Sequence, residues 1–283
     1  MRWYVFNVDY EMYGKDLIES AILSSKICET LGKKSPNGFA YEMFLDEKGE
    51  KISKSKGNGI TIEQWLNYAS PESLSLYMYQ NPRRAKKLYA DVVPKAVDEY
   101  LSSIDKFSEQ DGKLKLLNPV WHIHNGKPPK EKSIMPFSVL LNLVGTSNAS
   151  NKEVLWKFIK KNKKEIKISD HPILDGLVSY ALKYFEDIVK PNKKYRKPND
   201  KEKRALQDLV KRLKECKEKM DPESIQTIVY SVGKDNGYEK NLREWFKAIY
   251  EIIFGDQDGP RMGFFISFFG IKESIELINK YIK

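Results

Sequence analysis

The sequence predicts a short α/β segment followed by a longer region that is predominantly α-helical. Three observations carry this. Two brief apolar runs, Trp3–Val8 and Phe39–Leu45, have the pattern of buried strands, and both fall near the start. Between them the stripe Leu17, Ala21, Leu23, Ile27, Cys28, Leu31 reads as a helix ending at Gly32. From Pro94 onward apolar residues recur at helical spacing, and after Pro136 no strand signal interrupts them.

With 283 residues the chain can carry two domains and bury a core in each. Its 41% hydrophobic and 12% aromatic content describes a globular protein and excludes a disordered one. Lys and Arg number 49 against 39 Asp and Glu, a net charge of +10. That surplus suits a polyanionic partner, although it serves solubility equally well. Cys28 and Cys216 lie in helix-like stripes without a C-x-x-C pair, so they read as reduced core residues in a cytosolic setting. No apolar run approaches membrane-spanning length, and Met1-Arg2 leads straight into a strand-like segment without a signal peptide. A soluble, cytoplasmic protein without a membrane partner is expected.

Taken in order, Trp3–Val8 is expected as a strand and Asp9 to Asp16 as a loop opening the first helix. Ligands of open α/β sheets sit at the carboxyl ends of strands, which places Gly14, Lys15 and Asp16 at a candidate site. Asp16 also suits a helix start for its charge alone. Phe39–Leu45 is the next strand, turning at Asp46-Glu47-Lys48-Gly49. Thr61-Ile62-Glu63-Gln64 is a capping box for a helix through Tyr68, and Ser70-Pro71 starts another that Asn81-Pro82 ends. Ala96, Val97, Tyr100, Leu101 and Ile104 mark an amphipathic helix, and Ser108 to Lys132 reads as a polar connector near a domain boundary. The helices beyond carry stripes such as Leu174–Val178–Ala181 and Leu206–Leu209–Leu213, and Asp221-Pro222 caps another. No repeat of fixed period is present, so an irregular bundle fits better than a solenoid.

The run Lys51-Ile52-Ser53-Lys54-Ser55-Lys56-Gly57-Asn58 sits between the second strand and the capping box. Three ammonium groups so closely spaced, on a backbone rich in Ser and Gly, suit a polyanion whose charge moves during a reaction. A solvated Lys/Ser turn is the plainer alternative. Two further basic stretches decorate the helical region: Lys157 to Lys167, and Lys193-Lys194-Tyr195-Arg196-Lys197, where a ring able to stack on a base lies among cations. Either also serves as a solubilising surface.

The spacing K-I-S-K-S matches the second signature, KMSKS, of class I aminoacyl-tRNA synthetases, with Ile52 in place of Met. The longer run G-E-K-I-S-K-S-K-G-N-G-I-T-I-E-Q-W-L-N-Y-A-S-P-E-S-L resembles the corresponding segment of class I lysyl-tRNA synthetase. So do V-D-Y-E-M-Y-G-K-D-L upstream, and D-V-V-P-K-A-V-D-E-Y, N-P-V-W-H-I-H, P-I-L-D-G-L-V-S-Y-A and G-P-R-M-G-F-F downstream. The likeness covers essentially the whole chain, but the family is nearly twice as long and the missing half is the N-terminal one. His122-Ile123-His124-Asn125-Gly126 is not the family's other signature, HIGH, which precedes the lysine loop and opens a helix.

The resemblance implies the second half of a Rossmann-like catalytic domain over residues 1–60, stem-contact helices over 61–115 and an α-helical anticodon-binding domain over 116–283. It implies ATP-dependent ligation of lysine to tRNA(Lys), with Lys51 and Lys54 neutralising charge on the departing pyrophosphate and Lys54 leading. Ser53, Ser55, Gly14 and Asp16 would help to bind ATP, with Mg2+ accompanying the nucleotide. Arg83, Arg84, Lys86, Lys194, Arg196 and Arg261 are the candidate tRNA contacts, with Lys87 beside them. His122, His124 and His171 lack any Cys or clustered carboxylate, so no protein-bound metal is expected. Lacking the HIGH half, the chain alone is not expected to form lysyl-adenylate. It is read as an excised piece, as one product of a split gene whose other product supplies a separate N-terminal half, or as an internally started remnant. The alternative is a non-catalytic RNA-binding protein that kept the helical module.

Overall fold

The computed structural model describes residues 1–53, 56–147, 149, 151–162, 165–216 and 220–282. Its first element corrects the expected strand at Trp3–Val8: Arg2–Phe6 form helix α1, closed by Asn7 in the left-handed region at φ 49°. A five-residue apolar run carries no period that separates strand from helix. Here Trp3 packs with Ala21 and Cys28 of the next helix, which a single apolar face satisfies. The expected loop after it is also corrected, because Tyr10–Gly14 form strand β1. Helix α2 spans Ile18–Thr30 and stops before Gly32, as its stripe predicts.

The expected strand at Phe39–Leu45 is divided into β2, Asn37–Tyr41, and β3, Phe44–Leu45. β2 lies parallel to β1 with Gly14 opposite Tyr41, so the carboxyl ends of the two strands meet. Helices α3, Ile62–Tyr68, and α4, Pro71–Tyr79, follow and lead to β4, Lys86–Lys87, which pairs in parallel with β3. Both caps form as their residues dictate. Thr61 Oγ1 accepts the Gln64 amide at 3.1 Å while Gln64 Oε1 accepts the Thr61 amide at 2.8 Å, and Ser70 Oγ accepts the Ser73 amide. Fully buried Trp65 ties the two helices together through its indole N–H on Ser73 Oγ, 3.3 Å away.

Helix α5, Val92–Glu109, buries the predicted stripe Ala96, Val97, Tyr100, Leu101 and Ile104. The segment expected as a polar connector instead holds two short helices, α6 (Gly112–Leu117) and α7 (Pro119–Ile123), started by the side chains of Asp111 and Asn118. Then come α8 (Phe137–Ser147), α9 (Lys152–Asn162), α10 (Pro172–Tyr184), α11 (Lys190–Asn192), α12 (Asp200–Lys214), α13 (Pro222–Gly233), α14 (Leu242–Ile249), α15 (Met262–Phe269) and α16 (Ile271–Ile282). α13 lies on α15, α12 on α16 and α10 on α8. One continuous cluster of buried side chains runs from Ile60 to Ile278, so the expected segments 61–115 and 116–283 share a core. By contrast the buried centre of residues 1–41 is only Trp3, Ala21 and Cys28.

Arg196 closes one seam of the bundle. Its guanidinium donates to both carboxylate oxygens of Glu202 at 2.7 Å and to Glu251 at 2.6 Å. Glu202 in turn caps α12 by accepting the Asn199 amide, and the Arg196 guanidinium beside it holds its pKa below the ordinary 4.5. Arg196→Ala strands a nearly buried carboxylate. After allowance for the partly exposed arginine it is expected to cost about 2 kcal/mol, read as a lowered Tm. Because the folded-state pKa of Glu202 is depressed, its contribution is fully present above the ordinary carboxylate range and is lost as pH falls through the folded value. Denaturation between pH 3 and 7 therefore shows a steeper acid loss for the parent chain than for Arg196→Ala; parallel curves would contradict the pairing.

Candidate functional site at the carboxyl ends of the strands

The lysine-bearing loop is organised by a carboxylate that sequence reasoning took only as part of a turn. Asp46 follows β3 and is 8% exposed. Its Oδ1 accepts the Glu50 amide at 2.8 Å, closing the Asp46–Gly49 turn, and its Oδ2 accepts the Asn58 side-chain amide at 2.7 Å. The Asn58 amide oxygen accepts the Ser53 N–H at 3.0 Å, and its Nδ2 also reaches the Lys51 carbonyl at 3.3 Å. These bonds, the Asn58 amide first, hold the Asp46 pKa below the ordinary carboxylate value. Both ends of the loop are thus fastened to one anion.

The backbone seats the loop against the strands. Lys51 bridges Leu45, and the Ile52 amide donates to the Phe44 carbonyl at 3.2 Å. On the far side the Ile60 amide donates to the Leu88 carbonyl, whose own amide donates to Leu45. Gly59 makes the turn between them at φ 91°; a Cβ there would come within 2.9 Å of the Leu88 carbonyl oxygen. The amides of Lys56 and Gly57 converge on the Ser53 carbonyl at 3.2 and 3.1 Å, curling the loop back on itself. The expected Lys54 and Ser55 lie outside the described residues.

This mooring brings Lys51 to the end of β1. Its ammonium lies 3.4 Å from Asp16 Oδ2, across 35 residues of sequence, with both groups open to solvent. Gly14 is the last residue of β1, and a Cβ on it would lie 2.7 Å from Asp16 Oδ1, so the missing side chain lets Asp16 fold back over the strand end. Lys15 pairs with Glu42 at 2.7 Å, and this ammonium holds the Glu42 pKa down. Lys56 reaches Glu50 at 3.3 Å. Gly14, Asp16 and Lys51 therefore lie around the carboxyl end of β1, where open α/β sheets bind ligands, while Ser53 is held within the loop by Asn58.

The candidate RNA contacts are dispersed. Arg83 lies over the Phe39 ring, 5.1 Å from its centroid, and Arg84 is exposed in the turn after α4. The Lys86 ammonium is bonded to the carbonyl oxygens of Tyr77 and Gln80 at the end of α4, and burial pulls its pKa down. Lys87 donates to the Glu47 carbonyl at 2.7 Å. Arg196 is committed to Glu202 and Glu251, and Arg261 pairs with exposed Glu223 at 3.0 Å. Tyr195, expected to offer its ring to a base, stacks on Tyr281 at 6.0 Å, while Lys193 is drawn over Phe185. The Lys194 side chain has no partner among the described residues, although its amide donates to the Gly255 carbonyl at 2.8 Å. The two histidines of the H-I-H run are also spoken for, His124 by the Tyr100 hydroxyl at 3.0 Å and His122 by the Leu116 carbonyl at 2.8 Å. Among the described residues no cluster of His, Cys, Asp and Glu could hold a metal ion, and no helix is long and apolar enough to cross a membrane.

Residues 1–127 match the model of the family described as tRNA synthetases class I (K). The lysine–tRNA ligase of Rickettsia bellii (strain RML369-C) is 48% identical over 282 residues, covering 99% of this chain and 54% of its own length. That of Roseobacter denitrificans is 47% identical over 278 residues, covering 98% and 52%. Among solved structures, glutamate–tRNA synthetase from Elizabethkingia anophelis aligns over 99% of this chain and 58% of its own, at 14% identity and a TM-score of 0.32. The strand-end site and its lysine loop thus lie in a segment related to the class I tRNA synthetases. Within that class the relatives are the lysine–tRNA ligases, and the chain spans about half of their length, the C-terminal half.

Asp46→Asn keeps the shape but turns one of the two accepting oxygens into an N–H donor, so either the Asn58 bond or the Glu50 bond is lost. Amide exchange at Glu50 and Ser53 should quicken, while the bundle amides from α10 onward stay as slow as in the parent. Equal exchange at Glu50 and Ser53 in the two proteins would show that the carboxylate does not order the loop.

Proposed function

We propose that this chain is the C-terminal portion of an ATP-dependent lysine–tRNA ligase of class I, joining lysine to tRNA(Lys), and that it works only with an N-terminal half. The observation that carries this is the placing of Lys51 against Asp16 at the carboxyl end of a parallel strand, on a loop fastened at both ends. In the proposed reaction a lysine carboxylate oxygen attacks the α-phosphorus of ATP, the bond to the bridging oxygen breaks, and pyrophosphate leaves with the electron pair. Charge builds on the β- and γ-phosphates, where Lys51 and Lys54 would meet it. Asp16 parks the Lys51 ammonium beside the strand end until the polyphosphate competes for it. Its carboxylate is then free to accept from a ribose hydroxyl, and Gly14 leaves room for the sugar. ATP, with Mg2+ as its counter-ion, enters as substrate. The lysyl group then passes to a ribose hydroxyl at the 3′ end of tRNA(Lys), which Arg84 and Lys194 are best free to hold by phosphate. A cytoplasmic setting follows from this role.

A second reading, a tRNA-binding module without chemistry, draws on the contrast between the continuous core from Ile60 onward and the three-residue core of the first segment. Pyrophosphate exchange separates the two. Exchange is expected only when this chain is combined with the N-terminal half of a lysine–tRNA ligase. In that combination Lys54→Ala lowers the rate about 10²–10³-fold, the cost of one lost transition-state contact. Salt-sensitive tRNA binding with no exchange in either condition would favour the binding module, and a drop under threefold for Lys54→Ala would remove that lysine from the chemistry.

A further inference from the structure

Asn58, whose side chain ties the far end of the lysine loop to Asp46, is followed directly by Gly59. In an Asn-Gly step no side chain shields the next backbone nitrogen, which can close a five-membered ring on the asparagine amide carbon. The chain has four such steps, at Asn37, Asn58, Asn125 and Asn236. Three are held by regular or hydrogen-bonded backbone. Asn37 and Gly38 lie in β2 against β1, the Gly126 N–H is spent on the Trp121 carbonyl at 2.8 Å, and Asn236 and Gly237 lie within the π-helical turn Lys234–Tyr238. Gly59 is exposed, stands outside any helix or strand at φ 91°, and its N–H makes no hydrogen bond among the described residues. The Asn58 amide oxygen already accepts the Ser53 N–H at 3.0 Å, a donor that steadies negative charge on that oxygen when its carbon is attacked.

We propose that Asn58 is a site of spontaneous deamidation, and that its conversion unties the lysine loop. The Gly59 nitrogen loses its proton to solvent and attacks the side-chain amide carbon of Asn58. The bond from that carbon to Nδ2 breaks, and the nitrogen leaves as ammonia after taking a proton back. One water then opens the succinimide, giving aspartate by attack at one carbonyl and isoaspartate by attack at the other. Both products carry a carboxylate where the amide stood, and neither can donate. Nδ2 now gives its protons to Asp46 Oδ2 at 2.7 Å and to the Lys51 carbonyl at 3.3 Å, so acceptors would face acceptors and one anion another. Asp46 is nearly buried, which leaves that repulsion poorly screened. The altered side chain swings away from Asp46, and the Ser53 N–H loses the acceptor that the knot held in place. Isoaspartate adds a main-chain carbon as well, just where Gly59 makes its turn.

The inference rests on the geometry of the loop and stands or falls apart from the ligase reading. Its test is to age the full chain at mildly alkaline pH, where the backbone nitrogen loses its proton more readily, and to map the four Asn-Gly peptides by mass. The Asn58 peptide should gain the mass of an amide turned to acid, as a mixture of aspartate and isoaspartate, ahead of the Asn125 and Asn236 peptides. Asn58→Asp supplies one product directly. Amide exchange at Ser53 should quicken about tenfold or more in that variant, the effect of losing one hydrogen bond to a charged group. The Asp46 carboxyl, held below its ordinary range chiefly by the Asn58 amide, should titrate higher. Bundle amides as slow as the parent's show that the variant folds. Combining Asp46→Asn with Asn58→Asp reverses donor and acceptor across the same gap and should return Ser53 exchange toward the parent rate. An Asn58 peptide that keeps its amide, or converts no sooner than those of Asn125 and Asn236, would overturn the site. Parent-like Ser53 exchange in Asn58→Asp would overturn the untying.

Discussion

The lysine loop owes its shape to one carboxylate. Asp46 accepts from a backbone amide at the start of the loop and from the side-chain amide of Asn58, 12 residues further along the chain than Asp46 itself, so both ends of the loop are tied to the same anion. Without that knot, only the Lys51 bridge to Leu45 and the Ile52 amide on Phe44 would seat the start of the loop, and its far end would be untied from the strand end. With it, the ammonium reaches Asp16, and a site forms from three separate pieces of sequence. A depressed Asp46 pKa is the electrostatic signature of the same bonds: donors converge on the charged form and favour it.

The positive surplus of the chain is less available to a polyanion than its number suggests. Lys86 serves as a helix-end cation, Lys193 is drawn among aromatic rings, and Arg196 clamps α12 to the segment before α15. Burial or pairing has already used these charges, and the cost of freeing them would count against any ligand. Arg84, Lys106 and Lys194 remain uncommitted among the described residues. The two regions also differ in how they are held. The helical part is fastened by a continuous apolar core, whereas the first segment relies on hydrogen bonds and leaves Val5, Phe6, Met12 and Leu23 more than half exposed. A site built on such a base takes its rigidity from the loop's polar knot and from β3–β4 pairing.

What could be read from the sequence was local. The caps at Thr61, Ser70 and Asp221 depend on residues three apart and formed as read. The stripe of α5 and the glycine end of α2 needed only a period and a stop. The lysine loop was legible because its residue types recur at fixed spacing. Trp3–Val8 was not, since a short apolar run has no period, and the strand one step later was hidden by the polar Glu11 between Tyr10 and Met12. Asp46 announced a turn, but its hold on Asn58 is tertiary and leaves no mark in spacing. The commitment of Lys86 and Arg196 was equally invisible, because a cation's partner depends on which elements pack beside it.

The contact between Lys51 and Asp16 is the geometric claim on which the site depends, and it can be tested without substrate. A carbodiimide joins an amine to a carboxylate only when they touch, and peptide mass spectrometry identifies the pair. The structure predicts an amide link between Lys51 and Asp16 alongside one between Lys15 and Glu42, the first of them lost in Asp46→Asn. Recovery of the Lys15–Glu42 link with no trace of the Lys51–Asp16 link would show that the loop does not close over the strand end.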